Sequence, residues 1–383
     1  MHHRNGIARL VVLLGLAWWA TLCSAHKPSD SYLSAAVHGR SIDVQWDIAL
    51  RDLDNAIGLD ANGDGAITWG ELKAKHQEIS AYVLARLAVR GDGSVCPVQI
   101  RDQLVDDHTD GGYSVLRAIV TCPNTIHRLG MEYRLFFDLD PQHRGLLRLD
   151  AGAAGTHTAI FSREAAVQEF DLGVAASRWS ALLDYVREGV WHIWLGYDHI
   201  LFLLSLLLPA VLNRHAGHWQ PVKTFNTAFV DTAKIVTAFT LAHSLTLSLA
   251  ALGYIALPSR LVESAIAASV VLAALNNLQP LVHGKRWLVA FGFGLVHGLG
   301  FANVLADLGL PQGLLVVGLL GFNLGVEVGQ LAIVAVVLPC AYYARRADAY
   351  RRVVLHAGSA AIAVIASVWL AERSLNLKLF FMH

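Results

Sequence analysis

The chain has 383 residues, of which 55% are hydrophobic and only 16% charged, with a mean hydropathy of +0.45. A soluble chain carries roughly 25% charged residues, so a wholly soluble fold is excluded and a bilayer is implied. Basic and acidic residues balance at 30 each, which leaves no electrostatic footprint for nucleic acid. Charges crowd before about residue 188 and thin out afterwards. Two solvents are implied, and the expected fold is a soluble, mostly β, α+β domain followed by a membrane α-helical bundle.

Residues 1–25 read as an export signal. Arg4 and Arg9 flank a short basic region, Leu10 to Leu22 form an apolar stretch too short to span comfortably, and Cys23-Ser24-Ala25 offers small residues before a cut at His26. Leu22 stands where a lipoprotein wants a small residue. If His26 becomes the first residue, its amine and imidazole could chelate copper together, against the commoner reading of a coincidental histidine. Cys96 and Cys122 are each followed by proline in the exported region. An oxidising compartment would join them in a disulfide, against the alternative of two buried thiols. Cys340, in an apolar stretch, reads as inert packing.

Residues 26–185 form the expected extracytoplasmic domain. Ile42, Val44, Trp46 and Ile48 alternate, as do Met131, Tyr133, Leu135, Phe137 and Leu139, and a period of two predicts half-buried strands. Gly70 to Val89 looks helical. Between these lies Asp60-Ala-Asn62-Gly-Asp64-Gly65-Ala66-Ile67-Thr68-Trp-Gly-Glu71, which fits a calcium-binding EF-hand loop. Side-chain oxygens of Asp60, Asn62, Asp64 and Thr68, the carbonyl of Ala66 and a bidentate Glu71 would surround a large hard cation. Gly65 would make the turn that lets them converge. The alternative is an acidic turn without metal; with calcium, a structural role is expected before a signalling one.

Residues 186–383 are expected to form the membrane domain. About six apolar segments are long enough to cross as helices, near 188–211, 235–255, 261–279, 287–307, 314–341 and 353–371. With the N-terminal domain outside, the inner loops hold Arg214 and Lys223, then Lys285 and Arg286, then Arg345, Arg346, Arg351 and Arg352. This obeys the positive-inside rule and places the chain in a bacterial inner membrane with a periplasmic N-terminal domain.

Ionisable groups at a bilayer centre cost roughly 2.5–3.5 kcal/mol on insertion scales and need a reason. Here they are His192, Asp198 and His199, then His243 with Ser244, His297 with Asn303, and Asn323, Glu327 and Gln330. Lys234 and Glu263 are expected to snorkel from helix ends. On one straight helix His192 and His199 would share a face about 10 Å apart along the axis, too far to grip one ion together. Asp198 could set an imidazole tautomer or be a ligand. Gly321, Gly325 and Gly329 form a small-residue stripe opposite Asn323, Glu327 and Gln330, as a packing face would. The bland reading is interhelical hydrogen bonding; the sharper one is a site for Zn, Ni, Co or Cu.

His192-Ile-Trp-Leu-Gly196-Tyr-Asp198-His199 resembles the His-Pro-x-x-Gly-x-Asp-His signature of the HupE/UreJ membrane proteins, regarded as nickel permeases. Ile193 stands in place of the proline. Ala242-His243-Ser244 is similar to the Gly-His-Ser element of nickel/cobalt permeases. Phe293-Gly294-Leu-Val-His297-Gly298-Leu-Gly300-Phe301-Ala302 and Phe322-Asn323-Leu-Gly-Val-Glu327-Val-Gly-Gln330 resemble a HupE/UreJ branch with a large exported domain. The resemblance implies a transporter rather than an enzyme. A divalent metal such as nickel, cobalt or zinc would pass along His192, Asp198, His199, His243, His297 and Glu327. Two other classes stay open: an intramembrane metal-dependent hydrolase, with Ser244 and Asp198 assisting a zinc-bound water, and a calcium-dependent receptor or assembly factor.

Overall fold

The computed structural model describes residues 29–108, 111–175, 177–215, 218–279, 284–301 and 310–375. The expected signal peptide, its cleavage site at His26 and the polar Asn303 lie outside the described residues. The chain divides into two compact units, one of Lys27–Tyr185 with Asn303–Leu320, the other of Val186–Ala302 with Gly321–His383.

The first unit is a two-sheet structure with a helical insertion. Its strands are β1 (Asp30–His38), β2 (Ser41–Ala49), β3 (Leu87–Gly91), β4 (Ser94–Cys96), β5 (Val98–His108), β6 (Gly111–Thr121), β7 (Arg128–Tyr133), β8 (Arg144–Asp150), β9 (Thr156–Phe161) and β10 (Val167–Asp171). Six of them pair in the order β5-β6-β2-β1-β8-β9, in which only β1 and β8 run parallel. The other four pair in the order β10-β7-β3-β4. Alternation explains the core: Ile42, Val44, Trp46 and Ile48 of β2 are buried beside Val89, Leu129 and Met131 of the second sheet. The disulfide joins Cys96, at the end of β4, to Cys122, just beyond β6, and so staples one sheet to the other.

Two strand-and-helix expectations need correction. The alternation from Met131 ends at Tyr133, because the chain turns there and Phe136 takes a left-handed φ of 58°. The stretch Gly70–Val89 is not one helix. It holds α2 (Trp69–Ala74) and α3 (His76–Leu84), and Val89 belongs to β3.

The Asp60–Glu71 loop lies between α1 (Leu50–Ile57) and α2. Its side chains fold the loop upon itself. Asp60 accepts the amides of Gly63 at 2.7 Å and Gly65 at 2.8 Å, Asn62 that of Asp64 at 2.8 Å, and Asp64 that of Ala66 at 2.8 Å. Glu71 closes the ring by accepting the Ala61 amide at 3.1 Å and, with Thr68, forms the capping box of α2. The Thr68 amide and hydroxyl beside it hold the Glu71 carboxyl below its usual value.

A buried polar chain ties β1 to the rest of this unit. The Ser29 hydroxyl donates to Oδ2 of Asp52 at 2.7 Å. Ser29 then accepts Nδ1–H of His143 at 2.5 Å, and Nε2 of His143 accepts the Tyr133 hydroxyl at 2.6 Å. Tyr133 in turn faces the Ser31 hydroxyl at 2.6 Å. Full burial holds His143 at a pKa of about 3, and the neutral ring can donate from Nδ1 and accept at Nε2 as this chain requires.

The second unit is helical: α4 (Arg178–Leu195), α5 (Tyr197–Leu207), α6 (Phe225–Ala251), α7 (Ser259–Leu278), α8 (Arg286–His297), α9 (Gln312–Ala344) and α10 (Gly358–Leu375), of which α4 and α9 begin in the first unit. A hairpin of β11 (Leu212–His215) and β12 (His218–Pro221) follows α5, and a π-helical turn, Tyr350–Ala357, leads into α10. Among the described residues four helices are long and apolar enough to cross a membrane, or five if the bent pair α4 and α5 counts as one span. Leu241, Leu320, Val336 and Val364 point outward, each more than 60% exposed. A protein in water would bury such a surface; lipid solvates it. Cys340, a free thiol, also lies on this outer surface. Helix α6 starts ten residues before the expected boundary, so Lys234 sits within it rather than near its end.

An unfolded histidine titrates near 6.5, so between about pH 6.5 and 3 the unfolded chain takes up a proton that buried His143 refuses. Stability must fall with acid through that window, by up to ~1.4 kcal/mol per pH unit. Denaturant unfolding of the detergent-solubilised chain is expected to show this slope, and His143→Gln is expected to flatten it.

Candidate metal centre

The polar residues of the second unit converge because a helix breaks. The expected continuous helix over 188–211 is two helices, α4 and α5, bent by 71° about Gly196. Gly196 takes an extended ψ of 94°, and α5 restarts with Asp198 in its first turn. A side chain at Gly196 has no room: a Cβ there would lie 2.6 Å from the His192 carbonyl and 2.8 Å from Nδ1 of His199. The break overturns the expectation that His192 and His199 stand 10 Å apart. Their ring centroids are 4.6 Å apart.

His243 of α6 completes the group. One nitrogen from each of His192, His199 and His243 lies within 4.8 Å of the others. His199 is 6% exposed and His243 fully buried. Hydrogen bonds settle which nitrogens are available. Asp198 Oδ1 accepts both the amide and Nδ1–H of His199 at 2.9 Å, which leaves the lone pair on Nε2. Asn323 Oδ1, on α9, faces Nδ1 of His243 at 3.4 Å and selects the same tautomer. Nε2 of His192, His199 and His243 are all buried, with no hydrogen-bond partner among the described residues. Carboxylate and amide oxygens behind the rings are the usual way to aim imidazole lone pairs at a metal.

His297 stands beside this group rather than in it. Its ring lies 5.1 Å from that of His199. Ser269 donates its hydroxyl proton to the Ile266 carbonyl, so it receives Nε2–H of His297 at 2.8 Å. Nδ1 of His297 is left buried without a partner among the described residues. Glu327 is half-buried on α9 and is not one of the groups that converge. Ser244 donates to the Thr240 carbonyl of its own helix.

Glycines bring the helices close enough for this. A Cβ on Gly189 would overlap the Phe322 carbonyl, and one on Gly325 the Val186 carbonyl. Helices α4 and α9 therefore touch backbone to backbone, and the expected packing stripe at Gly325 and Gly329 meets Val186, Gly189 and Ile193. Gly294 and Gly298 do the same for α8 against Phe239 and His243 of α6.

A family model described as HupE / UreJ protein matches residues 168–373, more than half of the chain. The chain belongs to the HupE/UreJ family. The match covers all but the last two described residues of the helical unit, and with it all four imidazoles. HupE/UreJ proteins are associated with nickel and cobalt transport. No curated protein matches the chain.

Sequence reasoning named the histidines but missed what arranges them. Apolar length alone puts Gly196 inside a span; its pairing with Asp198, a residue that favours a helix start, is the available signal. Ser269 carries no signal of its own. Substituting Gly196→Ala is expected to push His199 off its position. Cobalt(II) absorption of the detergent-solubilised protein, a direct reading of the ligand geometry, should then lose the spectrum of the unsubstituted chain while secondary structure is retained.

Proposed function

We propose that the chain is a permease for a divalent transition-metal ion such as nickel or cobalt. His192, His199 and His243 would hold the ion, partly dehydrated, within the bilayer. One observation carries this reading: three imidazoles converge, each with a buried Nε2 that has no hydrogen-bond partner among the described residues. Leaving such groups unpaired is costly, and neutral imidazoles suit nickel, cobalt and zinc. His297 offers a second station beside His199, and Glu327 remains a candidate further along α9. Loop charges and the disulfide support an inner-membrane protein with a periplasmic N-terminal unit.

Three imidazoles with an open fourth place would also suit a zinc hydrolase. Transport is favoured because Asp198 is already engaged, by His199 on one oxygen and by Arg373 near the other. It is not a free base. Ser244, turned to its own backbone, is not poised as an assistant.

In the Asp60–Glu71 loop each engaged oxygen accepts backbone donors and keeps lone-pair capacity for a cation. Asp60, Asn62, Asp64, Thr68 and Glu71, with the Ala66 carbonyl, would hold calcium, which would tie α1 to α2.

Nickel uptake by cells and metal content of the purified protein test both sites. His199→Ala is expected to abolish nickel binding and uptake while calcium stays; Glu71→Gln is expected to lose calcium while nickel binding stays. Calcium alone, with no transition metal bound on titration, would refute the permease and favour the receptor or assembly reading.

A further inference from the structure

We propose that Arg373 is a resident counter-cation of the metal centre, which weakens the grip on a divalent ion so that the ion can leave. The proposal rests on the permease reading above and adds a residue outside the histidine cluster and its motifs.

The geometry is a relay. Asp198 divides its two oxygens: Oδ1 is 2.9 Å from Nδ1 of His199, and Oδ2 is 3.6 Å from Nη2 of Arg373. Arg373 comes from the last turn of α10 and is only 15% exposed. It is fixed from other directions, donating to the Glu263 carbonyl at 3.3 Å and lying 5.9 Å from the Trp369 ring centroid. The guanidinium therefore stands one carboxylate away from the imidazole that would touch the ion.

Charge decides what this does. Three neutral imidazoles and Asp198 alone would present a net charge of −1 to an arriving dication. With Arg373 the formal sum is zero. Where water is scarce, Coulomb terms are several times larger than in bulk, so the guanidinium offsets most of the pull that Asp198 exerts. When the site is empty, Arg373 also keeps the buried carboxylate from standing uncompensated, which would be costly. A storage or structural site gains from the deepest possible trap. A carrier needs an ion that binds and then departs, and a fixed positive charge behind the ligand shell provides the push.

The test measures nickel binding by titration of the detergent-solubilised full chain, and nickel uptake kinetics in cells. In Arg373→Gln, binding is expected to tighten about tenfold or more, with KM and kcat for uptake both falling because release slows. Arg373→Lys, which keeps the charge, should stay near the unsubstituted chain. The double variant Asp198→Asn with Arg373→Gln removes both charges and should return affinity toward the original value. If Arg373 only held Asp198 in place, Arg373→Gln would weaken binding as His199→Ala does, and that result would overturn the counter-cation alone. Absence of any His199-dependent nickel binding in the unsubstituted chain would remove the permease reading and this inference with it.

Discussion

A buried imidazole nitrogen without a hydrogen bond is an expense that folded proteins avoid, and among the described residues this bundle leaves four of them, on His192, His199, His243 and His297. Much around them serves to keep those lone pairs bare and directed. The bend at Gly196 swings His199 toward His192. Asp198, Asn323 and Ser269 each occupy the far nitrogen of one ring and so fix which nitrogen is left. Phe202, Phe239, Phe301 and Phe322 pack around the rings and offer them no polar partner. A bundle built only for stability would have paired these nitrogens with one another or replaced them with carbon.

The two halves of the chain solve their backbone problem differently. In the sheet unit, hydrogen bonds run between strands and the core lies between the two sheets, sealed by the Cys96–Cys122 bridge. In the helical unit the backbone is satisfied within each helix, so apolar side chains such as Leu241 and Val364 can face outward. The contrast in charge along the sequence is the trace of this difference. Family membership over 168–373 rests on the helical half.

Much of this was legible in the sequence. Strict alternation marked β2, and the small-residue stripe on α9 met its partner helix where expected. The disulfide followed from compartment chemistry. What hid was whatever a uniform apolar background conceals. The stretch 188–211 is long enough to cross as one helix, and length cannot report that Gly196 lacks room for a Cβ and that the helix bends there. Treating the segment as straight set His192 and His199 apart, when their contact is the basis of the site. The roles of Ser269 and Arg373 were hidden for another reason: each depends on a residue far away in the chain, which no local pattern encodes.

The contact between α4 and α9 carries a consequence for motion. At Gly189 and Gly325 the two helices meet through main-chain atoms with no side chain between them. Side chains can change rotamer and let helices slide, but carbonyl and amide groups at touching distance cannot. With no side chain at the contact to change rotamer, this seam has less freedom than seams filled by flexible side chains, and His192 and Asn323 lie beside it. Under the permease reading proposed above, a rocking motion would find its freedom at those other seams.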